Sequence, residues 1–207
     1  MIGLQIDEKV ALLTIDRPDK ANSLTAKMLR ELTAKLEDLA VSDCRAVILT
    51  GAGRVFSAGA DLDEARNDGL AKSPEWERLS ARMVSMPCLT VAALNGTLAG
   101  GAFGMVLACD LRLAVPEAKF FYPVMKLGFL PQPSDPRRLA ALIGPARAKM
   151  ILMAGARIDA AEARDWGLID RIVPAEELNA AATGLAADCT AASADHVAAI
   201  KEMTDQP

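Results

Sequence analysis

A long run of residues without any charged side chain, from Met83 to Cys109, constrains the fold more than any other feature of the sequence. The run exceeds the roughly 20 apolar residues that a membrane-spanning helix needs. However, Pro87 is expected to end any preceding helix, and Asn95-Gly96 is typical of a turn. We therefore predict a buried strand over Cys88–Leu94 and a helix of small residues over Gly100–Cys109. A single membrane-spanning helix is the alternative, and two overlapping GxxxG spacings in the run would suit it.

The overall composition is that of a folded, mildly acidic protein. Of 207 residues, 52% are hydrophobic and 24% are charged, a balance that excludes an intrinsically disordered chain. The 23 Lys and Arg residues against 27 Asp and Glu residues give a net charge of -4, and they form no basic cluster. A protein of this charge has little electrostatic attraction to nucleic acid or to an anionic membrane surface. We therefore expect neither as a partner.

The cysteine and histidine content argues against a disulfide framework and against a metal site. The four cysteines are far apart, show no CxxC spacing and follow no N-terminal signal segment, so we expect reduced thiols in the cytoplasm. With a single histidine, His196, and no clustered cysteines, no set of metal ligands is recognisable. His196 lies in a predicted helical tail, where we expect a surface position. The absence of a GxSxG motif further argues against a nucleophile activated by histidine.

Hydrophobic periodicity predicts a layered α/β domain. Alternating apolar residues predict a hairpin between Ile2 and Ile15, and helical spacing predicts a helix with Thr25 as its N-cap. The continuous apolar segment Ala46–Gly51 is typical of a strand that is buried on both faces. The alanine-rich residues after Val173 predict a helical tail. No repeat or low-complexity linker divides the chain.

Two glycine-rich segments, FSAGADL at 56–62 and NGTLAGGAFG at 95–104, are the first candidates for a binding site. The second follows a predicted strand and opens a helix, so the N–H groups of Gly100 and Gly101 lack helical partners and carry the positive end of the helix dipole. Such an end binds anions, although glycine there also permits close packing of the helix on the sheet. Neither a GxxxxGK(S/T) nor a GxGxxG spacing occurs, which excludes the common nucleotide-binding loops.

Four long motifs surround and include these segments. In order they are LLTIDRPDKANSLT, AVILTGAGRVFSAGADL, MPCLTVAALNGTLAGGAFGMVLACDLRLAVPEAKF and LIGPARAKMILMAGARIDAAEARDWGLIDRIVP. With them the chain resembles the enoyl-CoA hydratase/isomerase (crotonase) superfamily from its start to about Pro174. The resemblance implies a crotonase-like (ClpP/crotonase) α/β spiral of repeated ββα units. It assigns residues 1–174 to an acyl-CoA-binding core and residues 175–207 to a short helical C-terminal extension.

The resemblance also implies a ligand and an assembly. Members of the superfamily act on acyl-CoA thioesters, for example in fatty acid metabolism, so we expect an acyl-CoA small-molecule substrate. Coenzyme A then enters as part of the substrate, and no separate cofactor is expected. Relatives assemble as trimers or as pairs of trimers, which predicts a homotrimer or a dimer of trimers for this chain.

Two backbone N–H groups, those of Ala60 and Gly101, match the oxyanion-hole donors of the family. Negative charge develops on the carbonyl oxygen when a thioester enolate forms, and each fixed donor is worth about 3 kcal/mol of barrier. Basic side chains at Lys20 and Arg54 would suit the phosphates of coenzyme A. The positions that match coenzyme A contacts in relatives are Lys20, Ala21, Arg54, Ala58, Asp61, Leu62 and Gly100.

Both glutamate positions that hydratases of the family use are replaced, by Gly104 and Val124. Hydration needs a general acid and a general base within hydrogen-bond reach, and neither residue can transfer a proton. A third position used by some relatives falls at Gln132, which does not titrate. Asp135 and Tyr122 are the candidate substitutes. Each has a purely structural alternative, Asp135 as the N-cap of the following helix and Tyr122 as a wall residue.

The sequence therefore favours an acyl-CoA thioester enzyme of the lyase or isomerase class whose reaction is not ordinary hydration. One alternative is a decarboxylase for malonyl-type acyl-CoA, because loss of CO2 generates the enolate without abstraction of a proton. The other alternative is a non-catalytic acyl-CoA-binding homologue, which the same two replacements would permit.

Overall fold

The computed structural model describes residues 1–205, and it contains two β-sheets surrounded by helices. The strands are β1 (Ile2–Asp7), β2 (Val10–Ile15), β3 (Ala46–Gly51), β4 (Val55–Ser57), β5 (Leu89–Leu94), β6 (Thr97–Ala99), β7 (Leu111–Ala114), β8 (Lys119–Phe121), β9 (Ile158–Asp159) and β10 (Arg171–Ile172). The helices are α1 (Ala26–Ala40), α2 (Leu62–Asn67), α3 (Glu75–Val84), α4 (Phe103–Leu107), α5 (Val124–Leu127), α6 (Asp135–Ile143), α7 (Pro145–Leu152), α8 (Ala160–Trp166), α9 (Leu178–Leu185), α10 (Ala187–Ala191) and α11 (Ala194–Asp205).

From β3 to β8, successive strands of the chain alternate between the two sheets. One sheet has six strands in the order β1-β2-β3-β5-β7-β10, and the other has four in the order β4-β6-β8-β9. The strands β3, β5 and β7 join the first sheet, and the strand that follows each of them joins the second. A helix follows each such pair, and the strands within each sheet pair in parallel between successive units. This repetition of ββα units is the crotonase-like architecture that the sequence predicts.

Local sequence patterns explain the first half of the fold. The hairpin pairs Ile2 with Ile15. The helix α1 begins where the Thr25 side chain accepts a hydrogen bond from the N–H of Met28, which confirms Thr25 as the N-cap. The strand β3 is buried along its whole length between β2 and β5. The predicted hairpin, amphipathic helix and buried strand are therefore confirmed.

The uncharged run forms a strand, a turn, a second short strand and a helix. β5 begins at Leu89, Asn95-Gly96 turns the chain into β6, and a 3-10 turn over Gly100–Ala102 leads into α4. The backbone is tightly packed at this turn, because a Cβ on Gly96 would collide with the carbonyl oxygen of Arg54. Among the described residues, no helix is long and apolar enough to cross a membrane.

The last three helices, α9 to α11, form the helical tail that the sequence predicts. α9 packs against β5 and β7. Lys201 in α11 donates hydrogen bonds from Nζ to Asp110 Oδ2 at 2.8 Å and to the carbonyl oxygen of Cys88 at 3.0 Å, which attaches this helix to the six-stranded sheet. The division between 1–174 and 175–207 stays a prediction, and Gln206 and Pro207 lie outside the described residues.

Candidate active site

The two glycine-rich segments lie against each other and present two backbone N–H groups. Gly59, at φ +91°, comes so close that a Cβ there would lie 2.8 Å from the carbonyl oxygen of Ala99 and 3.2 Å from the nitrogen of Gly101. This contact holds Ala60 beside the start of α4. Among residues 1–205, neither the N–H of Ala60 nor that of Gly101 has a hydrogen-bond acceptor. The structure therefore brings the two unpaired N–H groups, those of Ala60 and Gly101, to one place.

Both donors line one cavity of about 100 Å³. The wall also contains three residues predicted to contact the substrate, Ala58, Leu62 and Gly100. Of the described residues that line this cavity, Tyr122 is the only one with a titratable side chain. The rest of the wall is formed by Ala65, Ala71, Trp76, Pro123, Val124, Leu127, Phe129, Leu130 and Gln132.

Tyr122 connects this cavity with a buried carboxyl group. Its ring stacks on Phe103 with the centroids 5.3 Å apart. Its hydroxyl donates a hydrogen bond to Asp135 Oδ2 at 2.9 Å, and the N–H of Gln132 approaches the hydroxyl oxygen at 3.4 Å. Tyr122 is 3% exposed and Asp135 is 1% exposed. Sequence reasoning named the two residues separately, whereas the structure joins them in one hydrogen-bonded pair.

Asp135 does not cap α6, so the structural alternative considered for it is wrong. It is the first residue of the helix, Ser134 is the N-cap residue, and the Asp135 side chain turns inward. Glu77 of α3 provides the missing cap, because its carboxylate accepts hydrogen bonds from the Ser134 N–H at 3.0 Å and from the Ser134 hydroxyl at 2.5 Å. A negative charge therefore still stabilises this helix N-terminus, but it comes from another helix.

The Asp135 carboxyl group lies beside Gly104, where the resemblance places a glutamate in hydratases. A Cβ on Gly104 would lie 2.9 Å from Asp135 Oδ1. Within the described part of the chain, that oxygen is buried and has no hydrogen-bond partner. The Asp135 carboxyl group of α6 therefore occupies space that a side chain at position 104 of α4 would fill.

Burial dominates the electrostatics of this pair. It raises the pKa of Asp135 to about 7, against the lowering effect of the Tyr122 hydrogen bond and with a further raising effect from Glu77. Burial, together with the neighbouring Asp135 charge, also raises the pKa of Tyr122. Near neutral pH, Asp135 is thus divided between its acid and carboxylate forms while Tyr122 stays protonated. A group that titrates near the working pH is suited to general acid–base catalysis.

Most of the predicted coenzyme A contacts lie in the loop after β2, in the turn between β3 and β4 and after β4, and hydrogen bonds hold these segments together. The N–H of Ala58 donates to the carbonyl oxygen of Ala21 at 3.0 Å. Asn22 is fully buried, and its Nδ2 donates to the carbonyl oxygen of Val55 at 2.6 Å. Asn22 Nδ2 also donates to the carbonyl oxygen of Ala52 at 2.8 Å, so the loop after β2, the turn between β3 and β4 and the loop after β4 form one surface.

The charged residues on this surface differ in how they are held. Lys20 and Arg54 are exposed, and in the described structure neither forms an ion pair. Asp61 is buried, pairs with Arg17 at 2.7 Å and accepts the first N–H groups of α2 as its N-cap. The Asp61 side chain therefore holds α2 in place, while Lys20 and Arg54 remain available to an anionic ligand.

Sequence reasoning did not identify Asn22, Trp76 or Glu77. The Trp76 ring lies 3.4 Å from the point where a Cβ on Gly101 would be, so it forms the wall beside one donor. The helical spacing of Trp76, Leu79 and Met83 indicates a buried face of α3. That spacing does not reveal which part of the molecule the face contacts, and nothing local marks Glu77 as a cap for a distant helix.

His196 and Asp110 lie outside this cavity. His196 is exposed on α11, as predicted. Asp110 accepts hydrogen bonds from the N–H and hydroxyl of Thr90 and from Lys201, which supports a structural role. In the part of the chain that the structure describes, no group of three or more His, Cys, Asp or Glu side chains is arranged to hold a metal ion.

Comparison with known sequences gives one consistent family. The family model described as enoyl-CoA hydratase/isomerase matches residues 5–207. A protein named probable enoyl-CoA hydratase echA8 from Mycobacterium tuberculosis is 34% identical over 212 residues, which cover 99% of this chain and 81% of that protein. The putative enoyl-CoA hydratase/isomerase YngF of Bacillus subtilis is 37% identical over 191 residues, 89% of this chain and 74% of its own.

Solved structures agree with the sequence comparison. The structure of an enoyl-CoA hydratase from Bacillus anthracis has a TM-score of 0.90 at 32% identity and covers 99% of this chain and 82% of its own. A putative enoyl-CoA hydratase/carnithine racemase from Magnetospirillum magneticum has a TM-score of 0.92 at 27% identity. The match covers 100% of this chain and 82% of that protein's chain. From its ββα architecture, its motifs and these relatives, the chain belongs to the enoyl-CoA hydratase/isomerase family.

Proposed function

We propose that the protein processes acyl-CoA thioesters by stabilising a thioester enolate between the N–H groups of Ala60 and Gly101. The observation that carries this proposal is the pair of unpaired donors on the wall of one cavity. The wall is almost entirely uncharged, so negative charge on the thioester oxygen would be stabilised mainly by these two groups. Each fixed donor of this kind is worth about 3 kcal/mol of barrier.

The same proposal assigns the neighbouring loop surface to coenzyme A. Lys20 and Arg54 are exposed cations suited to phosphate groups. Ala21 and Ala58 lie on loops joined by a hydrogen bond, and they would contact the pantetheine arm. Coenzyme A is part of the substrate here, without a separate cofactor. The complete proposed contact set is Lys20, Ala21, Arg54, Ala58, Asp61, Leu62 and Gly100.

Among reactions that pass through an enolate, one observation favours decarboxylation of a malonyl-type acyl-CoA. None of the described residues that line the cavity carries a carboxylate, so an anionic substrate meets no like charge there. Loss of CO2 leaves the bonding electron pair on the enolate and needs no base. Hydration, by contrast, needs groups that activate water and protonate carbon, and Gly104 and Val124 offer neither.

Parallel incubations with methylmalonyl-CoA and crotonyl-CoA test these assignments. Liquid chromatography and mass spectrometry follow both reactions. We expect propionyl-CoA from methylmalonyl-CoA and no hydrated product from crotonyl-CoA. Hydration of crotonyl-CoA would contradict the assignment to decarboxylation and would retain thioester chemistry. Binding without turnover of either substrate would identify a non-catalytic acyl-CoA-binding homologue instead.

We also propose a homotrimer, or a dimer of two trimers, in the cytoplasm. The family resemblance supports this assembly, because relatives assemble as trimers or as pairs of trimers, and four exposed apolar side chains at the end of α7 and on α11 could take part in subunit contacts. They are Met150, Met153, Ile200 and Met203. Light scattering coupled to size-exclusion chromatography tests the assembly, and a monomeric mass at all concentrations would contradict it.

A further inference from the structure

We propose that Tyr122 is the catalytic proton-transfer residue of this cavity and that Asp135 is its positioning residue, the two forming one relay to the α-carbon of the substrate. This inference rests on the proposed thioester chemistry and specifies which group moves the proton. Tyr122 contacts the cavity and Asp135 lies behind it, so only Tyr122 would touch the substrate.

The surroundings of Tyr122 fix the positions of its ring and of its hydroxyl oxygen. The ring stacks on Phe103 at an interplanar angle of 24°, and the hydroxyl donates to Asp135 Oδ2 at 2.9 Å. Val124 and Gln132, the other positions where a proton-transfer group is expected, carry an apolar side chain and an amide. Of the described wall residues, Tyr122 alone can exchange a proton. The cavity therefore offers a single route for a proton.

The arrangement of Asp135 indicates more than a structural hydrogen bond. A carboxyl group buried to 1% exposure is costly to the fold, and Asp135 Oδ1 adds to this cost because it has no partner among the described residues. Glu77 accepts both hydrogen bonds from Ser134 at the start of α6, so the Asp135 side chain is not engaged there. The absence of a side chain at Gly104 provides the space. Two separate features, the Glu77 contact and the missing side chain at Gly104, thus accommodate one costly buried carboxyl group behind Tyr122.

The proton step is balanced without a further reactant. The enolate α-carbon takes the proton of the Tyr122 hydroxyl, so that a C–H bond forms, the O–H bond breaks and its electron pair stays on the phenolate oxygen. The acid form of Asp135 returns a proton to that oxygen, and the resulting carboxylate regains its proton from solvent. In the reverse direction, the Asp135 carboxylate accepts the Tyr122 proton while the tyrosine oxygen removes an α-proton.

Burial of Asp135, followed by the groups around it, sets the pH dependence of this relay. Glu77 faces it from α3 and Arg138 from α6, with opposite effects on its pKa, and Tyr122 faces it from the end of β8. The α4 segment FGMVL contributes no titratable group, and the basic residues of α7 are exposed. Removal of an α-proton requires the Asp135 carboxylate. The rate of that step should therefore rise with pH through about 7, the pKa of Asp135, and then become constant.

Exchange of α-protons in D2O tests the relay without knowledge of the natural reaction. Butyryl-CoA serves as the probe, calorimetry gives its dissociation constant, and proton NMR follows loss of the α-proton signal. The variants are Tyr122→Phe, Asp135→Asn and their combination. Asp159→Asn is the matched control, because Asp159 is an exposed N-cap of α8 whose loss affects stability only. Thermal unfolding verifies that each variant is folded, and Tyr122→Phe removes only a hydroxyl group.

We expect Tyr122→Phe and Asp135→Asn each to lower the exchange rate about 100-fold or more, the size of a general acid–base contribution. The exchange rate of the double variant should be no lower than that of either single variant, because the two residues act as a unit. Binding should change by less than about threefold, under 1 kcal/mol. If Tyr122→Phe exchanged α-protons at the wild-type rate, or if the wild type bound butyryl-CoA without exchange, the relay would be overturned and the proposed function would stand. Failure of the wild type to bind butyryl-CoA would overturn the proposed function, and the relay with it.

Discussion

At the scale of single residues, the site depends on what is absent at position 104. Gly104 is buried inside α4, where any side chain would point at Asp135. Replacing a glutamate by glycine at this position removes one carboxyl group and also makes room for another. As a result, the Asp135 carboxyl group does not line the cavity and is connected with it through the Tyr122 hydroxyl group.

The first prediction concerns this space. Gly104→Ala should lower the free energy of unfolding by about 1–3 kcal/mol, because the added Cβ would lie 2.9 Å from Asp135 Oδ1 in a packed interior. Urea unfolding measures the effect, and Gly184→Ala is the control, since a Cβ there meets no atom within 4 Å. The cost of Gly104→Ala should shrink in an Asp135→Ala background. An equal cost in both backgrounds would show that residue 104 and Asp135 do not compete for space.

The second prediction concerns the proton that Asp135 binds. The pKa of Asp135 in the folded protein, about 7, lies above the ordinary value of 3.8, so the folded state binds more protons between these pH values. The free energy of unfolding should therefore fall as pH rises from about 4 to 7, by a few kcal/mol at most. Urea unfolding across this range should show a flatter profile for Asp135→Asn. Parallel profiles in the two proteins would mean that Asp135 titrates normally.

At the scale of elements, the start of α6 is controlled by α3. Ser134 directs both its N–H and its hydroxyl to the Glu77 carboxylate, which joins two helices that are distant in sequence. The same carboxylate raises the pKa of Asp135. One side chain of α3 therefore stabilises a helix terminus and also adjusts the proton affinity of the buried pair.

The third prediction separates these two effects of Glu77. Glu77→Gln should lower the free energy of unfolding by about 0.5–2 kcal/mol through the weaker cap. It should also lower the pKa of Asp135, because a negative charge that favours the protonated form is lost. The midpoint of the pH dependence of α-proton exchange measures this shift. Glu75→Gln is the control, since Glu75 on the same helix pairs with Arg78 at the surface. An unchanged midpoint in Glu77→Gln would contradict the electrostatic coupling.

Elements that local patterns define could be predicted from the sequence, and elements that depend on distant contacts could not. The capped helix α1 and the buried strand β3 carry their signals in adjacent residues. The start of α6 was predicted within one residue, but the role of Asp135 there was not, because a cap from Glu77 is invisible locally. The strand β10 is limited to Arg171–Ile172, since only these residues pair with β7.

At the scale of the whole molecule, the two sheets bring the functional groups together from separate ββα units. Ala60 follows β4, Gly101 follows β6, and Tyr122 follows β8, and these three strands are neighbours in the four-stranded sheet. Residues just after adjacent parallel strands meet at one edge of the sheet, so the repeat itself assembles the cavity. The resemblance to the family therefore sufficed to name two residues that this edge brings together, Ala60 and Gly101, and their role as donors stays a prediction. It did not predict the pairing of Tyr122 with Asp135, because that contact replaces a residue that the family pattern expects.

The most direct test of the central claim is the infrared band of a bound thioester carbonyl. With butyryl-CoA labelled with ¹³C at this carbon, we predict a lower C=O stretching frequency in the complex than in water, because two fixed N–H donors polarise the bond. Gly101→Pro, which deletes one donor, should reverse part of the shift, whereas Gly101→Ala, which keeps the N–H, should preserve it. A bound carbonyl band at its frequency in water would contradict enolate stabilisation by Ala60 and Gly101.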